Sequence, residues 1–209
     1  MHVARKQTLT QQDFIDAGTN FLLSHPLSDL TMRVLGDLLG VDATACYRHF
    51  RSKGELLTAM VDSMLRAGVD AVPESLTDPR ERIERQTLAV RRAMHANPQL
   101  AAAFATSEGQ MPNAIELSRR GIADLRALGL DGDRLVVVYQ ALESHAMGAT
   151  MFDLMAAPRN MEVRAARYSA IGDPAFAHVG RSAAATDENT DEAFAVAMGA
   201  LLDQLLAAD

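Results

Sequence analysis

A single cysteine, Cys46, occurs among the 209 residues. One thiol cannot form an intramolecular disulfide, and such sparse cysteine suits a reducing compartment. No apolar run approaches the ~20 residues that a membrane span needs. The opening MHVARKQTLTQQDF has no apolar core of signal-peptide type, so export is not expected and a cytoplasmic location is. Strand signals are nearly absent, because the β-branched cluster at 135–139 lies inside a longer helical pattern. No internal repeat or low-complexity tract is present. There is no glycine-rich phosphate loop, nucleophile motif or His/Cys cluster with metal-ligand spacing. Glu143 and His145 are two apart and do not share a helix face. No catalytic residue, metal or cofactor is therefore expected, and a helical enzyme is the weakest reading.

What is present is ordinary for a soluble globular chain: 48% hydrophobic and 22% charged residues. The length allows one domain with a sizeable core, or two small ones. The net charge of −7 runs against the basic footprint of a nucleic-acid binder. Its distribution is uneven. Residues 1–66 carry seven Lys/Arg and seven Asp/Glu, leaving thirteen against twenty for the rest. The acidity sits in the second part, and any DNA affinity of the first must come from where its charges are placed.

Helix signals recur throughout. Thr10 can cap a helix whose residues Phe14, Ile15, Gly18, Phe21 and Leu22 keep to one face, stopping near His25-Pro26. Asp78-Pro79, Asn97-Pro98 and Asp173-Pro174 pair a cap with proline at the first helical position. Met111-Pro112 opens a helix to about Leu128, closed by Gly129. A long helix is expected over 133–155, a shorter piece over 159–171, and a last helix from Asn189 or Thr190 to about Ala207. The fold class is all-α: three short helices and a connecting fourth leading into a helical bundle.

Residues 31–57 carry the strongest local pattern. Thr31 caps a helix with a buried stripe of Leu35, Leu38 and Leu39, and Gly40 suits the left-handed residue that ends it. Asp42 caps the next helix, giving a helix-turn-helix. At about 100° per residue, Cys46 and Phe50 over 43–50 form a buried face. Thr44, Ala45 and Arg48 lie opposite, with Tyr47 and His49 on the flanks. A helix in the major groove needs this layout, with central residues at base edges and flanking donors at phosphates. The following helix starts Ser52-Lys53-Gly54-Glu55, a capping box. Lysine there opposes the macrodipole, and Gly54 weakens the helix by up to about 1 kcal/mol. Both choices fit a DNA phosphate at the helix start, approached closely at Gly54 and met by the Lys53 charge.

Segment 31–57 resembles the DNA-binding domain of tetracycline-repressor (TetR) family transcription regulators. Thr31, Arg33, Leu35, Gly40, Val41, Tyr47, His49, Phe50, Lys53, Leu56 and Leu57 stand in matching positions, and the resemblance extends over about residues 10–60. Gly36 replaces the family's usual alanine, Cys46 a larger aliphatic residue, and Pro26 a common glycine. The resemblance implies that Tyr47, His49 and Lys53 hold phosphates, while Thr44, Ala45 and Arg48 face bases. With Thr31, Arg33 and Gly54 these form the expected DNA surface, and Arg5 and Lys6 form a candidate arm.

The last helix is apolar almost all round, with one stripe of Phe194, Met198, Leu201 and Leu205 and another of Ala193, Ala197 and Ala200. Two apolar sides imply one face on its own bundle and one on a partner. Ala146, Gly148 and Ala149 permit close approach along the long helix. Ala146, Ala149, Phe194, Ala197, Leu201 and Leu205 are the expected homodimer face. The resemblance implies dimerisation through the last two long helices, and an apolar effector cavity in the bundle. Met94, Phe104, Met111, Tyr139, Glu143, Met147 and Met151 are the candidate lining. The expected protein is a cytoplasmic repressor with a DNA-binding domain over 1–57 and a ligand-binding and dimerisation domain over 58–209. Its partners are a double-stranded operator, a small-molecule effector and a second copy, with no membrane. The competing reading is a TetR-like DNA-binding protein that takes no effector.

Overall fold

Every regular element among the described residues is helical. The computed structural model describes residues 9–104, 106–155, 163, 166–174 and 188–207. The helices are α1 Gln11–Leu22, α2 Met32–Leu39, α3 Ala43–Tyr47, α4 Lys53–Asp70, α5 Pro79–Ala96, α6 Pro98–Phe104, α7 Pro112–Ala127, α8 Gly132–Met155 and, labelled α9 here, Glu188–Ala207. Pro79, Pro98 and Pro112 each stand first in their helix, where a missing N–H costs no intrahelical bond. A helical turn covers residues 166–169. Most of the piece expected over 159–171, and the helix expected after Asp173-Pro174, lie outside the described residues.

The chain packs as two units: residues 1–66 with 96–114, and residues 67–95 with 115–209. The boundary expected after residue 57 falls inside α4, whose buried positions Met60, Val61, Met64 and Leu65 keep it with the first unit as far as Arg66.

In the first unit, Thr10 and Asp13 form a reciprocal capping box at α1, and Phe14, Ile15, Gly18 and Leu22 turn inward. α2 packs on both α1 and α3. Phe14, Leu30, Leu35, Cys46, Phe50 and Leu56 are all at most 3% exposed, and burial of each leucine and phenylalanine among them is worth roughly 1.5–3 kcal/mol. Leu38, expected in this stripe, is instead 53% exposed. Met32, Leu35 and Gly36 are the buried positions of α2, because α3 packs over the side that carries Gly36.

The second unit has its own core of Ile83, Leu125, Leu135, Val138, Leu142, Phe194, Met198 and Leu202. Arginines hold the inner side of α9 along its length. Arg91 and Arg92 reach Asp191 at 3.0 and 2.7 Å. Arg80 donates to the Gly199 carbonyl at 3.1 Å and pairs with Asp203, and Arg134 donates to the Leu205 carbonyl at 2.7 Å. These contacts turn part of the expected dimer face toward the core. Phe194 lies in the core with His145 stacked on its ring, and Ala146, Ala149, Leu201 and Leu205 pack against that core. Of the six residues only Ala197 is exposed.

Among the described residues, no helix is long and apolar enough to cross a membrane, and no group of three His, Cys, Asp or Glu could hold a metal ion.

Candidate nucleic-acid interface

The turn between α2 and α3 is set by two glycines. Gly40 adopts φ 65°, ψ 31°, and its N–H closes α2 on the Asp37 and Gly36 carbonyls; L-residues with a side chain rarely take this left-handed geometry. At Gly36, an added Cβ would stand 2.8 Å from the Val41 carbonyl oxygen and 3.2 Å from the Ala43 nitrogen. The departure from alanine at this position thus coincides with a turn that folds directly onto the α2 backbone. It tightens the motif, contrary to the looser packing that glycine in a helix predicts.

Asp42 caps α3, its carboxylate accepting from the Thr44 N–H at 2.8 Å. That backbone hydrogen bond holds the Asp42 carboxyl below the ordinary aspartate value of 3.8. The regular helix is shorter than expected, Ala43–Tyr47 in place of 43–50. Past Tyr47 the backbone tightens: the His49 N–H bonds back to Cys46, and so does that of Phe50, both at 3.0 Å. This extra turn carries Phe50 into the core at 3% exposure and brings Arg51 and Ser52 to the start of α4.

The side-chain layout follows the periodic expectation despite the shortening. Cys46 is buried, its Sγ donating to the Met32 carbonyl at 3.4 Å, and burial pushes its thiol pKa up. Thr44, Tyr47 and Arg48 are exposed, and Ala45 and His49 are half-buried. The His49 ring lies 4.9 Å from that of Phe14, and its carbonyl accepts from Gln11 Nε2 at 3.0 Å. The imidazole therefore also packs the turn after α3 onto α1. Arg33 is exposed, whereas the Thr31 oxygen accepts from the Val34 N–H at 3.1 Å and caps α2. Arg5 and Lys6 lie outside the described residues.

At the start of α4, Ser52 Oγ accepts from the Glu55 N–H at 3.1 Å. The Glu55 carboxylate reaches one residue further back than a capping box requires, to the Arg51 N–H at 2.6 Å. Gly54 is open, with only Ser52 Oγ near a notional Cβ. Lys53 has a partner that its local sequence does not disclose: Nζ donates to the Leu27 carbonyl at 2.8 Å. Its position at a helix start, unfavourable for the macrodipole, is thus explained in part by the fold itself. An ammonium has three donors, so two remain for an anion.

Gln99, not foreseen from sequence, also reaches this region. Its side chain bonds to the backbone of Leu22, His25 and Leu27, and no short motif marks such a glutamine.

The residues expected to line an effector pocket are divided between the units. Phe104 and Met111 belong to the first; Met94, Tyr139, Glu143, Met147 and Met151 belong to the second. Met94 is fully buried, Met147 and Met151 are half-buried, and Glu143 is exposed. The Tyr139 hydroxyl donates to Ser118 Oγ at 2.8 Å, and burial pushes its phenol up. An open cleft of about 280 Å3 lies in the first unit, lined by Asp16, Thr19, Asn20, Ser63, Met64 and Asn97. None of the seven expected residues borders it.

A capped α2, a glycine turn and an outward-facing α3, in a chain whose regular elements among the described residues are all helical, define a helix-turn-helix protein. Residues 14–60 match the family described as bacterial regulatory proteins, tetR family. A relative from Mycobacterium tuberculosis, the HTH-type transcriptional repressor Rv1353c, is 27% identical over 154 residues, covering 71% of this chain and 59% of the relative. The match thus spans less than two-thirds of that relative's length. The solved structure of the TetR regulator SCO7222 from Streptomyces coelicolor superposes with a TM-score of 0.76 at 23% identity, covering 95% of this chain and 98% of that one. The TetR family protein ActR of the same organism, solved with (S)-DNPA, superposes with a TM-score of 0.68 at 21% identity, covering 95% and 98%.

Proposed function

We propose that this chain is a transcriptional regulator that represses from a pseudo-palindromic operator as a homodimer and leaves the DNA when a small, largely apolar effector binds. The observation that carries the DNA-binding reading is the division of α3 and its following turn. Cys46 and Phe50 are buried while Thr44, Tyr47 and Arg48 stand exposed, which leaves one hydrogen-bonding face for a groove. Thr44, Ala45 and Arg48 are assigned to base edges. Tyr47, His49, Lys53 and the open helix start at Gly54 are assigned to phosphates, with Thr31 and Arg33 at the rim and Arg5 and Lys6 as an arm. DNA contact is assigned to 1–57, and effector binding and dimerisation to 58–209. A family member with the same fold is solved with a small molecule, which supports the effector reading. Met94, Phe104, Met111, Tyr139, Glu143, Met147 and Met151 remain the candidate lining.

Binding titrations against duplex DNA over a series of salt concentrations test the site. Lys53→Ala should weaken binding to all sequences and reduce the salt slope by about 0.9, the loss of one phosphate contact. Arg48→Ala should relax base preference in a binding-site selection, by about 1–3 kcal/mol at one position. An unchanged slope removes Lys53 from the phosphate contacts, and an unaltered preference removes Arg48 from base reading.

The dimer contact is assigned to the outer faces of α8 and α9. Ala193, Val196, Ala197, Ala200 and Ala207 follow one another at helical spacing and are exposed, as are Val137 and Phe152 on α8. Val196, at 66% exposure, is the largest apolar side chain of the α9 face. Val196→Glu should raise the dimer dissociation constant by about tenfold or more, measured by light scattering on eluted fractions. An unshifted dimer mass over a dilution series would reject this face.

A further inference from the structure

Leu27 is where two side chains far apart in sequence meet. Its N–H donates to Gln99 Oε1 at 2.5 Å, and its carbonyl accepts from Lys53 Nζ at 2.8 Å. The same Gln99 amide donates through Nε2 to the carbonyls of Leu22 and His25, at 2.8 and 2.7 Å. One side chain on α6 therefore holds three backbone groups along 22–27, the segment leading from α1 toward α2. All of these residues belong to the first unit.

The chemistry explains why a glutamine serves here. Leu22 is the last residue of α1, and the final carbonyls of a helix have no intrahelical donor. Two carbonyls and one N–H must be satisfied together. A primary amide presents two donors and an acceptor on one rigid plane, whereas a carboxylate presents acceptors alone and an ammonium donors alone. With 22–27 held in place, the Leu27 carbonyl is a stationary acceptor. A lysine side chain otherwise has large rotamer freedom, and tethering its ammonium to a stationary acceptor removes much of that freedom before a phosphate arrives.

We propose that Gln99 is a positioning residue for the DNA interface: by holding Leu27 it seats the Lys53 ammonium beside the start of α4, so that α6 governs the phosphate contact without touching DNA. The inference rests on the assignment of Lys53 to a phosphate.

The test is a double-mutant cycle on the full chain, with a mixed-sequence duplex of about 30 base pairs followed by fluorescence anisotropy across a salt series. Gln99→Met keeps the side-chain length and removes all three hydrogen bonds. It should lower affinity by about threefold to tenfold and flatten the salt slope. In the Lys53→Ala background the same change should lower affinity no further. Gln99→Glu keeps the acceptor for the Leu27 N–H, loses both donors, and should show the same dependence on Lys53. It carries the cycle should Gln99→Met melt below the assay temperature, as followed by helical circular dichroism. Equal losses with and without Lys53 would overturn the role of Gln99, since a general effect on the fold does not depend on Lys53. Unchanged affinity and slope in Lys53→Ala alone would overturn the phosphate assignment, and this inference with it.

Discussion

Replacing Arg91 with alanine is expected to destabilise the protein by about 3–5 kcal/mol, the range found when one partner of a buried ion pair is removed. The Arg91 side chain is 1% exposed and its Nε lies 3.0 Å from Asp191 Oδ1. Its guanidinium carbon stands 5.0 Å from the centre of the Phe194 ring. The substitution leaves the Asp191 carboxylate, itself only 11% exposed, with Arg92 at 2.7 Å as its remaining arginine partner. It also opens a void against Phe194. Arg92 is 64% exposed, and its bond to the same carboxylate is screened by water, so Arg92→Ala should cost no more than about 1 kcal/mol. Denaturant unfolding of the two variants measures the contrast. Equal losses would show that burial does not govern this pair. Arg91→Met combined with Asp191→Leu should recover much of the loss, because no charge is then left buried.

Replacing Asp62 with alanine is the second large effect, about 2–3 kcal/mol for a buried charged acceptor whose donors are left unmet. Asp62 lies on α4 at 8% exposure, and it caps a different helix. Oδ1 accepts from the Asn113 N–H at 2.9 Å and the Ala114 N–H at 3.3 Å. Oδ2 accepts from Asn113 Nδ2 at 2.8 Å. The carboxylate thus meets free amides in the first turn of α7, where the macrodipole also favours a negative charge. Asp62→Asn keeps one acceptor and should recover part of the loss. Hydrogen exchange provides the local readout: the Asn113 and Ala114 amides should exchange faster in Asp62→Ala, more than those of α1. Unchanged protection at these two amides would remove Asp62 as the cap.

These two residues show where local reading stops. Pro112 marks the start of α7, and its position is legible because proline suits the first helical residue. Met111 before it offers no capping oxygen, and the cap arrives from a residue about fifty positions earlier. In the same way, Lys53 was legible as a misfit with the macrodipole, which local logic resolves by a phosphate. The fold supplies a further reason, since Leu27 provides a carbonyl across the first unit. Partners of this kind are set by which loops come together, and no periodicity encodes that.

The α3 region divides along the same line. An amphipathic period places Cys46 and Phe50 inward and Thr44 and Arg48 outward, and this layout holds through the tightened turn, since one turn of either geometry returns to the same face. The end of the regular helix at Tyr47 does not follow from the period. It follows from Phe50 entering the core while Arg51 and Ser52 meet α4. For α9, apolar residues on nearly every side hid which face turns inward. Arg80, Arg91, Arg92 and Arg134 decided it by anchoring Asp191, Gly199, Leu205 and Asp203 to neighbouring helices, which left Val196 and Ala197 outside.

The described helices, the helix-turn-helix and the inner and outer sides of α3 are legible in the residues alone, because propensity, capping and periodicity act over a few neighbouring residues. The partner of Lys53, the cap of α7 and the outer face of α9 emerge from the packing of the helices. Each of those depends on a hydrogen bond or ion pair between residues about twenty-five to more than a hundred positions apart, and such pairings exist only once the helices have packed.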